Sequence, residues 1–63
     1  MKLKGFLKRR NSKRPLALLI MENNENIEVI WCEDPDNIEE QYLCMTVMDY
    51  KKEDDCTEVW LVK

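Results

Sequence analysis

The side chains of this 63-residue chain that could do chemistry are its acids and its thiols. Carboxylates sit side by side at Glu33-Asp34, Glu39-Glu40 and Asp54-Asp55. General acid–base work needs a carboxylate desolvated in a cleft. These pairs fall in stretches that read as turns, where water keeps a carboxylate ordinary, and a solvated surface is the plainer reading. Asp34, Asp36 and Glu40 could approach a hard cation, but their spacing matches no calcium loop and the glycine of such a loop is missing. The thiols are Cys32, Cys44 and Cys56, odd in number and without a C-x-x-C pair. With no histidine, a zinc site would need a carboxylate as fourth ligand. A disulfide scaffold normally shows an even count and a signal peptide. Reduced thiols in a cytoplasmic protein are therefore expected. Nucleophilic catalysis has little support without a histidine base and with cysteines on strands rather than at helix starts. The chain reads as a non-enzyme that needs no cofactor and no metal.

Charge is more informative. Residues 1–15 carry seven basic residues and no acid, a net +7. Residues 16–50 carry nine acids and no base, a net −9, and residues 51–63 carry three bases and four acids, a net −1. The sum of −3 hides this segregation. Lys8, Arg9, Arg10, Lys13 and Arg14 form a dense basic cluster, the usual footprint of nucleic-acid or anionic-surface binding. No recognition motif accompanies it, so such binding would run through phosphates and depend on salt. The alternative is that the arm neutralises the acidic half, within one chain or across a dimer. The belt from Glu22 to Glu40 holds eight acids and no base. It could imitate the phosphates of a nucleic acid in a basic groove, or serve only as a solvated surface.

The elements that must position these groups read mainly as strands. Pro15 to Glu33 holds two apolar runs, Leu16–Met21 and Ile27–Cys32, joined by Glu22-Asn23-Asn24-Glu25-Asn26. The runs have strand length, and Asn is the non-glycine residue that best tolerates positive φ. A β-hairpin is expected, with a helix from Leu16 to Asn24 as the competing reading. Strands are placed near 16–22, 27–33, 41–50 and 56–62, with a fifth at 2–8 if the N-terminus joins. There Leu3, Gly5 and Leu7 alternate, although Leu3, Phe6 and Leu7 also lie at helical spacing, and Gly5 costs a helix about 1 kcal/mol relative to Ala. Asp34-Pro35 with acids behind it is a helix start signal. It suits a turn before the third strand, or a helix over about 35–48 that would make the fold α+β. The expected architecture is one small domain, a basic arm at 1–15 and an antiparallel β-meander of four to five strands at 16–63.

The expected strands lack clean alternation. At 16–21, 42–48 and 59–62 both faces are largely apolar. A sheet with one wet face alternates, and a single helix from so short a chain covers only part of one face. Something else must cover the second, either a copy of the chain or a partner protein, or else the folded-over arm. The leading functional expectation is a non-enzymatic protein-binding module, a small viral or mobile-element accessory protein that inhibits a larger protein. Leu19, Met21, Met48 and Trp60 would supply an apolar contact, and Glu33, Asp34, Asp36, Glu39 and Glu40 an acidic one. The alternative is a nucleic-acid-binding protein that uses the basic arm on a dimeric β platform. A weaker third reading seats Phe6 and Leu7 on a membrane surface. Spanning a membrane is not expected, because the apolar run at 16–21 is far short of about 20 residues, and it lacks the length and cleavage site of a signal peptide. The expected location is the cytoplasm, that of the host if the protein is viral.

Overall fold

The structure, a computed structural model, describes residues 1–10, 14–22 and 26–63. The protein is mainly β. Four strands form one mixed sheet: β1 (Leu16–Glu22), β2 (Asn26–Cys32), β3 (Thr46–Lys52) and β4 (Thr57–Val62). A seven-residue helix, α1 (Leu3–Arg9), precedes them, and a single helical turn, α2 (Glu40–Leu43), stands between β2 and β3. The expected strands at 16–22 and 56–62 form within a residue of their ends.

The strand order is β2-β1-β4-β3, not the meander expected. Two antiparallel pairs, β1 with β2 and β3 with β4, meet where β1 runs parallel to β4. The physical reason lies in the outer strands. A meander would place β2 and β3 at the centre and β1 at an edge. The observed order centres β1, apolar at six of its seven positions, and β4, whose residues 59–62 are all apolar, and moves Glu28 of β2 and Asp49, Lys51 and Lys52 of β3 to the edges. Charged edges also resist edge-to-edge pairing with other chains. Residues 33–45 carry the chain from one edge to the other across one face.

That face holds the core. Leu16, Leu18 and Ile20 of β1 lie beside Val59 and Leu61 of β4, all buried, with Leu3 and Phe6 of α1 packed on them. Ile38, Tyr42, Leu43 and Met45 of the crossover and Ile30 and Val47 of the edge strands close the cluster.

The N-terminus corrects a second expectation. In place of the strand expected at 2–8, Leu3–Arg9 form a helix, and only Lys2 pairs with Thr46 in an isolated bridge. A seven-residue helix with no side-chain cap at Lys2 and an internal glycine would not stand alone in water. Leu3, Phe6 and Leu7 share one helical face, and burying them on the sheet outweighs the glycine's cost. The Leu3 amide donates to the Met45 carbonyl (2.9 Å) and the Val47 amide to the Met1 carbonyl (2.7 Å), which fixes the start of α1 against the start of β3. The third strand begins at Thr46 rather than 41, because Tyr42 and Leu43 turn inward on α2. Of the helix considered over 35–48, only Glu40–Leu43 forms. The Asp34 signal makes one turn, with the Asp36 amide on its carboxylate (3.0 Å) and the Asn37 amide on its carbonyl (3.0 Å). Among the described residues no helix is long and apolar enough to cross a membrane.

Candidate functional site

The register places every other residue of the sheet on the face away from α1 and the crossover. Three rows run across the four strands there: Trp31, Ala17, Glu58 and Lys51; Val29, Leu19, Trp60 and Asp49; Ile27, Met21, Val62 and Thr46. None of the twelve is buried. Ile27, Val29 and Trp31 of edge strand β2 are 52%, 63% and 55% exposed. Met48, 56% exposed, sits at the bulge between Val47 and Asp49. The apolar residues that pack the core from outside the sheet all come from α1 and the crossover, which lie on the other face. The columns of β2, β1 and β4 are apolar but for Glu58, whereas the β3 column carries Asp49 and Lys51. The apolar patch is thus lopsided, widest toward β2.

The sequence-based contact residues divide between two surfaces. Leu19, Met21, Met48 and Trp60 belong to the open side of the sheet. Glu33 borders it, accepting a hydrogen bond from the Trp31 indole nitrogen at 2.6 Å. Asp34, Asp36, Glu39 and Glu40 are exposed on the crossover, in the layer that covers the opposite face. The structure therefore does not join the acidic loop and the apolar patch into one contact. Trp31 stands exposed on the patch as well. Its position could not be read from its apolar neighbours Val29 and Ile30, because the pleat sends Val29 and Trp31 outward and Ile30 inward.

The basic cluster is also divided. Lys8 and Arg9 form the last turn of α1, where cations suit the helix dipole. Arg10 caps the helix, and its guanidinium lies 6.0 Å from the Phe6 ring centroid and donates to the Thr57 hydroxyl at 3.3 Å. Arg14 donates to the Glu53 carbonyl, which ties the segment before β1 to the β3–β4 turn. Lys13 lies outside the described residues.

The thiols are free and dispersed. Burial pushes the Cys32 thiol up, the nearby charges of Asp34 and Glu33 add to that, and its hydrogen bond to the Asp34 carbonyl (3.1 Å) opposes it. A raised thiol is a poor nucleophile. Among the described residues no group of three metal-ligating side chains comes together.

Comparison of the chain with protein-family models, with curated proteins and with solved structures finds no match.

Proposed function

We propose that the protein is a non-enzymatic protein-binding module whose working surface is the open face of the sheet, and that the first occupant of this face is a second copy of the chain. The observation that carries this is the pair of apolar faces on one four-stranded sheet, only one of which the described residues cover.

The pattern of the open face favours self-association. A twofold axis laid along β1 lets the β2 column of one copy meet the β4 column of the other. Val29 then faces Trp60, Ile27 faces Val62, and Leu19 and Met21 meet their own counterparts. Trp31 faces Glu58. The charged β3 column falls at the rim, where Lys51, the register partner of Glu58, stays wet. Three facing strands about 4.8 Å apart and six residues at about 3.3 Å each give roughly 300 Å² of facing area per copy. Two such faces, about 600 Å² in total, fall below the roughly 1,200 Å² at which stable specific interfaces begin. That size fits a reversible dimer rather than an obligate one.

Docking on a larger protein is the second reading, favoured by the Glu33, Glu58 and Asp49 carboxylates that border the patch against a single Lys51. Inhibition and a viral or mobile-element source rest on size and charge segregation alone. The test is the molecular mass by sedimentation from about 5 to 500 µM, for the native chain and for Val29→Lys. A dimer that the substitution disrupts supports self-association. A native chain that stays monomeric throughout overturns it.

A further inference from the structure

On the opposite side of the molecule from the open face, where α1 meets the β3–β4 hairpin, lies a cavity of about 400 Å³. Beside Met1, its walls are Phe6, Arg9, Arg10, Tyr50, Lys52 and Thr57. Three of these are cations, and among the described residues no carboxylate lines the cavity. The Arg10 guanidinium has the neutral Thr57 hydroxyl as acceptor, while its Nη1, buried, has none among the described residues. A guanidinium has five donors, and a buried one left without acceptors is uncommon. Burial and then the Arg14 charge push the Arg10 pKa down, so an anion here would relieve both. The other wall is aromatic. Tyr50 stacks obliquely on Phe6, ring centroids 5.1 Å apart, and keeps about half its surface exposed (51%). The register gives the reason for this meeting: Lys52 is opposite Thr57 and Tyr50 opposite Val59, so both β3 side chains rise beside α1.

We infer that this cavity is a nucleotide site, in which Arg9, Arg10 and Lys52 take the phosphate and the exposed Tyr50 ring takes the base. The volume lies in the range of small-ligand pockets. Guanidinium groups suit phosphate oxygens through paired donors, and a tyrosine face accepts any base by stacking. The same chemistry is offered by a free nucleotide and by one residue of a single strand. The inference goes beyond the dimer reading and does not rest on it, since the cavity and the open face lie on opposite sides of the sheet.

The test is titration of the isotope-labelled chain with thymidine monophosphate, inorganic phosphate and a ten-residue thymidine single strand, followed by amide chemical shifts. The expected result is saturable movement of the Arg10, Tyr50 and Thr57 amides with the nucleotide, at lower concentration than with phosphate. Arg9→Ser and Lys52→Ser should each weaken it about five- to tenfold. Neither residue is buried, so the fold is retained and these variants guard against a loss by unfolding. Tyr50→Leu should weaken the nucleotide about tenfold and leave phosphate unchanged. A strand that binds far more tightly than the monophosphate identifies nucleic acid as the source, and equal affinities identify the free nucleotide. No saturable shift at 10 mM nucleotide, or phosphate binding as well as nucleotide with Tyr50→Leu silent, overturns the assignment.

Discussion

The two faces of this sheet are built from alternate residues of the same strands, and their compositions barely differ. Leu16, Leu18 and Ile20 alternate with Ala17, Leu19 and Met21, and Val59 and Leu61 alternate with Trp60 and Val62. The first set is buried at 0–2% exposure, whereas none of the second is buried. What separates the faces is connectivity. Both α1 and the 33–45 crossover fall on one side, and among the described residues no element packs on the other. Apolar composition says that a face wants cover, and topology decides which face receives it within the chain.

The sharpest way to break this contrast is to truncate neighbours that point in opposite directions. Leu18→Ala should cost about 2–5 kcal/mol, because it leaves a cavity in a small core. In a domain of this size that is most of the stability, so urea denaturation should show a largely unfolded chain. Leu19→Ala, one residue along, should cost the monomer less than about 1 kcal/mol. Equal losses at 18 and 19 would mean that the open face is already covered within the monomer.

Next in size is the effect on association. Val29→Lys places a charge at the middle of the β2 column. It should weaken self-association by about tenfold or more, while monomer stability changes by at most about 0.5 kcal/mol. Sedimentation and urea denaturation on the same sample separate the two effects. A smaller change tests the cover itself. Gly5 lies in α1, and a Cβ there would meet nothing within 4 Å. Gly5→Ala should therefore stabilise the protein by about 0.5–1 kcal/mol, read as a higher urea midpoint. The smallest effect belongs to the exposed pair Lys63–Glu22 at 3.6 Å, where Lys63→Ala should be almost silent in the same measurement.

Much of this contrast was legible before the fold. Both faces of 16–21 and of 59–62 read as apolar, and the need for outside cover follows from that. The hairpin and the last strand were legible from run length and β-branched content. The α1 helix was not, because Leu3, Gly5 and Leu7 satisfy alternation as well as Leu3, Phe6 and Leu7 satisfy a helical face, and only the sheet beneath decides between them. The parallel pairing of β1 with β4 is a long-range fact, since the 33–45 segment reads the same whether it turns back or crosses over. For the same reason chain order could not show that Asp34, Asp36, Glu39 and Glu40 ride on the covering layer, away from Leu19, Met21 and Trp60. The arm's charge was visible, but its pocket was not. Tyr50, Lys52 and Thr57 join Phe6, Arg9 and Arg10 only through the β3–β4 register.

The central claim is that the open face of the sheet closes by self-association, and the concentration dependence of mass tests it most directly. Sedimentation equilibrium of the native chain from about 5 to 500 µM should move from monomer to dimer, and Val29→Lys should hold the chain at monomer mass throughout. A native chain that is monomeric at every concentration, or a dimer indifferent to Val29→Lys, would contradict it.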